Sequence, residues 1–255
     1  GGQEPGYKKT NQDICFSSNM HGTKLHLFGV LDGHGPNGHH VSSFVKDTFP
    51  KGVASHPLFR THPGQALKET FLSTHTALLK TSIDCDYSGC TAAAVLMDKD
   101  KLYCGWVGDT RVVVGRRCND GRLQTVALTV DHKPDQANER VRIEKSKGRV
   151  ARLVTEKGVQ VGPHRVWLKY AWVPGLAMSR ALGDVLASRI GVTCEPDMNI
   201  YHLTAEDKYL IMASDGVWQF MTNEEAVSIV AGCETPEQAC ERLVQESKRR
   251  WLQEE

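Results

Sequence analysis

Three aspartates in this chain share one local setting. Asp32 ends the apolar run at residues 25–31 and is followed by Gly33, His34 and Gly35. Asp215 follows the run at residues 209–213 and precedes Gly216, and Asp109 follows Gly108 between the runs 102–107 and 111–115. Asn11-Gln12-Asp13 adds a fourth acidic position near the N-terminus. A carboxylate at a strand end is fixed by the sheet yet faces a cleft. The neighbouring glycine lets a cation approach the backbone carbonyl with no Cβ in the way. Oxygen-only ligands select hard cations, Mg²⁺ or Mn²⁺. Two such ions roughly 3.5–4 Å apart could clamp a bridging water, lower its pKa and aim it at phosphorus. His34 follows Asp32 by two residues, and with an unperturbed pKa of about 6.5 it could protonate a departing alkoxide.

Each feature alone has a plainer reading. Asp-Gly is a common turn dipeptide, and a lone histidine is more often structural or exposed. The combination of strand, Asp, Gly and His, echoed by a second strand with Asp-Gly, favours chemistry. Residues 33–38, Gly-His-Gly-Pro-Asn-Gly, also fit the dinucleotide pattern G-x-G-x-x-G. Two points exclude it. Asp32 would set a negative charge beside the pyrophosphate, and no second apolar strand ending in an acid follows about 20 residues later. The His-Cys loop of cysteine phosphatases is absent, as are Gly-Asp-x-His-Gly and Gly-Asn-His-Glu. His34, His39 and His40 lie close together, but no Cys or His cluster completes a tetrahedral zinc set.

These residues need elements to hold them. Residues 25–31, 91–97, 102–107, 111–115 and 209–213 read as strands. Gly108-Asp109-Thr110 reads as a hairpin turn between two of them. Residues 39–46 have helical potential, 65–80 predict an amphipathic helix, and 135–147 predict a charged helix stopped by Gly148. Thr222 with Glu225, and Thr235 with Pro236 and Gln238, predict two capped helices. Residues 149–174, broken by Gly158, Gly162 and Pro163, read as an irregular flap. Trp167 and Trp172 lie in it, with core packing their commoner fate. Strands with interspersed helices and hairpin connections favour an α+β layered sandwich over a parallel doubly wound sheet.

The bulk numbers agree. A chain of 255 residues, 40% hydrophobic, can build one sizeable core and is expected to be a single domain. A formal net charge of +1 gives no electrostatic case for nucleic acid or an anionic membrane. No apolar run approaches the roughly 20 residues of a membrane span, and the N-terminus has no signal-peptide apolar core. Eight scattered cysteines without a Cys-x-x-Cys pair read as reduced thiols, so a cytoplasmic or nuclear setting is expected.

The ordered motifs resemble the metal-dependent (type 2C) serine/threonine protein phosphatase family over about residues 7–225. They are Asn11-Gln12-Asp13, Phe28 to Gly35 (Phe-Gly-Val-Leu-Asp-Gly-His-Gly), Ser88 to Ala92 (Ser-Gly-Cys-Thr-Ala) and Gly108-Asp109-Thr110-Arg111. Leu128 to Pro134 (Leu-Thr-Val-Asp-His-Lys-Pro), Pro174 to Asp184 (Pro-Gly-Leu-Ala-Met-Ser-Arg-Ala-Leu-Gly-Asp) and Ala213 to Trp218 (Ala-Ser-Asp-Gly-Val-Trp) complete the set. Arg165-Val166-Trp167-Leu168 ahead of Pro174-Gly175 is similar to plant and protist members. The resemblance implies a four-layer αββα sandwich, a central β-sandwich flanked by helices. It implies Asp32 bridging two Mg²⁺ or Mn²⁺ ions, the Gly33 carbonyl on one and Asp215 on the other. Asp13 would hold metal-bound water, Asp109 would serve a weaker third ion, Thr91 would lie close to the site, and His34 would be the general acid. Phosphorylated proteins would be the substrates. A monomer is the expected state of the chain.

Three departures from the family pattern stand out. Gln12 replaces a frequent Glu, so one metal is expected to bind more weakly. Lys8 stands where a phosphate-gripping Arg is usual and lacks the bidentate fork. The chain stops at Glu255, before the family's closing strand with its further Asp, so that ligand is expected beyond Glu255. These departures motivate the alternative of a pseudophosphatase acting as a binding module.

Overall fold

The computed structural model describes residues 10–254. Strands β1 (Asp13–Asn19) and β2 (His26–His34) lead into helices α1 (Gly38–Ser55) and α2 (Pro63–Leu78). Strands β3 (Gly89–Asp98), β4 (Lys101–Val107), β5 (Arg111–Arg117) and β6 (Leu123–Ala127) follow, then helix α3 (Ala137–Lys145). Next come β7 (Gly148–Val154), β8 (Gln160–Leu168), β9 (Pro174–Leu176), β10 (Leu182–Gly183) and the short helix α4 (Val185–Ser188). The described chain closes with β11 (Asp197–His202), β12 (Asp207–Ala213), α5 (Asp215–Trp218), α6 (Asn223–Ala231) and α7 (Pro236–Glu254). None of these helices is long and apolar enough to cross a membrane.

The order of layers follows from which faces are apolar. One sheet runs β1-β2-β3-β4-β11, with β10 also paired to β3, and a second runs β12-β5-β6. On β3 the side chains alternate between two cores. Ala92, Ala94 and Leu96 join Val45, Phe49, Leu67 and Phe71 of α1 and α2. Ala93 and Val95 face the other way, with Cys104 and Trp106, against Val112 and Val114 of the second sheet. Val113 and Ile211 then turn outward under Val227, Val230 and Leu243 of α6 and α7. Helices, sheet, sheet and helices make the expected αββα order.

Three local expectations are revised. Gly108-Asp109-Thr110 does not close a hairpin: β4 belongs to the first sheet and β5 to the second, so these residues carry the chain across the sandwich. Both strands are buried on both faces near the turn, which lets each enter a different sheet. The flap is more regular than its glycines suggested. β7, β8 and β9 form an antiparallel sheet, with irregularities kept to register shifts at Ala151/Leu153 and Val166/Trp167. Val150 and Val166 pin it to Ile143 of α3 and Ile190. The capping box at α6 forms in full, whereas at α7 the Gln238 side chain accepts from Glu234 N–H instead of Thr235.

Candidate metal centre

Register brings the first acids together. Asp13 pairs with Asp32 across β1 and β2, and Asp32 pairs with Thr91 across β2 and β3. Directly opposed residues on neighbouring strands share a face. In the second sheet, Arg111 pairs with Ala213, so Asp109 and Asp215 lie two residues beyond the same end of β5 and β12. The four carboxylates therefore come from both sheets and meet where the chain crosses between them.

Their mutual effect is strong. Burial first, then the charges of Asp13, Asp215 and Asp109, push the Asp32 carboxyl up to about 9. Burial and the neighbouring Asp109 raise Asp215 as well. Asp109 is 1% exposed; Lys133 Nζ reaches its Oδ2, but its Oδ1 is buried with no partner among the described residues. A Cβ on Gly33 would stand 2.5 Å from the Gly38 carbonyl oxygen and 2.7 Å from that of Gln12, so only glycine fits beside Asp32. Among the described residues no three His, Cys, Asp or Glu side chains already close on one point as a finished ligand set. A repelling cluster of hard oxygens with an orphaned carboxylate oxygen nevertheless suits a divalent hard cation, which would relieve that repulsion.

The remaining site residues are held tightly. The Thr91 hydroxyl is fully buried and hydrogen-bonded to that of Thr110, and its methyl lies where a Gly108 side chain would go, so it braces the crossing that carries Asp109. Gln12 donates Nε2–H to the Gly35 carbonyl at 2.8 Å. His34 contacts Asp184 Oδ2 through Nε2 at 2.7 Å, while its Nδ1 is buried without a partner among the described residues. Burial alone would lower the His34 pKa, but Asp184 and then Asp109 raise it overall. Lys8 lies outside the described residues.

Four positions gain roles that their motifs did not announce. Lys133 neutralises one oxygen of Asp109. Ser214 donates its hydroxyl to Asp13 Oδ2 at 2.7 Å, tying β1 to the end of β12. His132 is buried, accepts from Gly108 N–H at Nδ1 (3.1 Å) and faces Asp197 with Nε2 (3.2 Å), which anchors the crossing. Asp184 holds His34. Each sits inside a motif already quoted, and the only sequence signal was adjacency: Ser214 precedes Asp215, and His132 and Lys133 follow Asp131.

A layered αββα sandwich with carboxylates from both sheets gathered at one edge is a β-sandwich frame carrying a candidate hard-cation centre. Residues 2–254 match the family model described as Protein phosphatase 2C. The chain belongs to the protein phosphatase 2C family. It is 40% identical over 233 residues to "Probable protein phosphatase 2C 64" of Oryza sativa subsp. japonica, covering 88% of this chain and 54% of the relative. It is 35% identical over 292 residues to "Probable protein phosphatase 2C 6" of Arabidopsis thaliana, covering 97% of this chain and 59% of the relative. The chain thus spans little more than half the length of these two proteins. Its fold is similar to that of a serine-threonine phosphatase 2C from Toxoplasma gondii, with a TM-score of 0.83 at 23% identity over 95% of this chain and 87% of that one.

Proposed function

We propose that this chain hydrolyses phosphoserine and phosphothreonine in proteins with the help of two Mg²⁺ or Mn²⁺ ions. The observation that carries the reading is the convergence of Asp13, Asp32, Asp109 and Asp215 from two sheets beside His34. Family membership supports it. Asp32, flanked by the other acids, would touch both ions, with the Gly33 carbonyl on one and Asp215 on the other. Asp13 would orient a water, and the unpartnered oxygen of Asp109 would serve a weaker third ion. When bound, such ions supply a water of lowered pKa and positive charge facing the phosphoryl oxygens. His34 hands a proton to the departing serine or threonine oxygen. Thr91 keeps Asp109 in place, and Lys8 is proposed to grip the phosphate.

The test is phosphopeptide hydrolysis with Mn²⁺ added and then chelated. Activity should vanish with the chelator and return with excess metal; turnover that ignores chelation refutes the reading. Asp32→Asn should abolish calorimetric Mn²⁺ binding together with activity. Retained binding of both ions would remove Asp32 from the bridging position.

A further inference from the structure

The formal net charge of the chain is only +1, yet residues 141–172 hold eight Lys or Arg against two Glu. One part of this basic stretch is concave. A hollow of about 440 Å³ opens between the end of α3, the flap turn after β8 and the end of α4. Lys147, Lys169 and Arg189 stand on its wall, and Leu168, Tyr170 and Ile190 add apolar surface. Among the described residues no carboxylate lines it. The two acids of α3 are committed elsewhere, Glu139 to Arg142 and Arg180, and Glu144 to Arg140.

Backbone geometry, not a counter-charge, puts each cation there. Lys147 has φ +65° just past α3, and its N–H donates to the Glu144 carbonyl at 3.1 Å. Glycine takes that left-handed position at ease, whereas a residue with a Cβ is strained in it. Lys169 rides a tight turn in which Leu168 N–H donates to the Val173 carbonyl at 2.7 Å, and its Nζ lies 5.2 Å from the centre of the Tyr170 ring. Arg189 ends α4 and is exposed. A helix end favours a nearby cation through its dipole. That accounts for Lys147 and Arg189 one at a time, but not for Lys169, which belongs to no helix. Three like charges on one wall repel one another, and an anion between them relieves that repulsion.

The hollow is fixed close to the acidic centre. α4 starts directly after Asp184, whose Oδ2 is 2.7 Å from His34 Nε2, and ends at Arg189. The helical rise between those two residues is roughly 7–8 Å. Ala187 and Ile190 pack with Val150 and Val166 of the flap and Ile143 of α3, so the three walls of the hollow share one core. We infer that this hollow is an anion subsite for the substrate chain. It takes an acidic side chain carried roughly three to five residues from the phosphorylated position, at about 3.3 Å per residue of extended peptide. The inference rests on the phosphoprotein phosphatase reading above and narrows its substrates to acidic segments. Lys147, Lys169 and Arg189 act on selection through binding and take no part in bond cleavage.

The experiment compares the full chain with the triple variant Lys147→Gly/Lys169→Gln/Arg189→Gln at saturating Mn²⁺. Glycine suits the left-handed backbone at 147, and the other two sites are exposed, so the fold is retained. Two phosphothreonine peptides are used, one with Glu and one with Gln at the positions three to five residues to either side. The unmodified chain should favour the Glu peptide about tenfold in kcat/KM, through KM, and less at high salt. The variant should lose that preference while hydrolysing the Gln peptide and p-nitrophenyl phosphate at the original rate. No preference in the unmodified chain, or a preference kept by the variant, overturns the inference. Fluorescence anisotropy with the unphosphorylated Glu peptide reads the subsite without turnover, and binding should weaken in the variant. A DNA oligonucleotide of equal charge that binds the hollow as tightly as this peptide overturns the assignment to substrate protein. Hydrolysis of neither peptide refutes the phosphatase reading, and anisotropy then decides the anion subsite by itself.

Discussion

Replacing Glu139 by Gln tests how the loop behind the site is held. Glu139 is 2% exposed on α3. Its Oε1 accepts from Arg142 Nη1 at 2.9 Å and Arg180 Nη2 at 2.7 Å; its Oε2 accepts from Arg142 Nη2 at 2.6 Å and the Ser179 hydroxyl at 2.5 Å. Burial by itself would raise this carboxyl, but the bonds from Arg142, Arg180 and Ser179 outweigh it and hold it far below the usual range. Glutamine keeps the shape but offers one acceptor oxygen. Its amide would point at donors, so at least two charge-assisted bonds are lost, each worth about 1.5–3 kcal/mol. Arg142 and Arg180 retain some solvent contact, which moderates the cost, and about 3 kcal/mol is expected at pH 7. A depressed carboxyl stabilises the fold above its unfolded pKa of about 4.3 and loses that stabilisation as pH falls. The gap between wild type and Glu139→Gln in urea unfolding should therefore hold from pH 7 to about pH 5.5 and shrink below about pH 4.5. A difference under about 1 kcal/mol, or one that grows with acid, would refute the reasoning.

Gly89→Ala should cost at least about 2 kcal/mol, because its Cβ meets Asp184 Oδ2 at 2.2 Å and the Leu182 carbonyl at 2.6 Å; thermal melts read the stability. Trp167→Ala should loosen the flap, since that buried ring donates to the Ala151 carbonyl, packs edge-on to Trp172 and covers Gly175. The local loss is about 3 kcal/mol, and faster hydrogen exchange over residues 148–176 with unchanged exchange in α1 would show it. Gln12→Glu removes the amide N–H that Gly35 O accepts and sets a fifth carboxylate one residue before Asp13. Calorimetry should show tighter Mn²⁺ binding, and melts in chelator should show a less stable apo protein.

The layers and two acidic strand ends were legible because their signals are local: apolar runs, then Asp-Gly. The Asp109 turn was misread for a physical reason. β4 and β5 are apolar on both faces, so neither alternation nor composition tells which sheet each joins. The flap strands were obscured by Gly158, in the turn between β7 and β8, and by Gly162, which lies within β8 at the register shift and bends the ladder without ending it. Asp184 and Ser214 were the least legible. Both are cap-type residues at helix starts, and each spends its side chain on a partner 150 or 201 residues away. Only the closed sandwich brings such partners together.

The crossing at Gly108–Thr110 has a mechanical consequence. Asp13 and Asp32 ride on one sheet, Asp109 and Asp215 on the other, and Ala93, Val95, Cys104, Trp106, Val112 and Val114 fill the gap between. That filling works as a spacer: its thickness, about 10 Å for packed sheets, sets the gauge across which the acids face one another. A methylene removed far inside the sandwich would let the two plates settle or shear, and the acidic edge would register the change as altered spacing between its carboxylates before the protein registered it as unfolding.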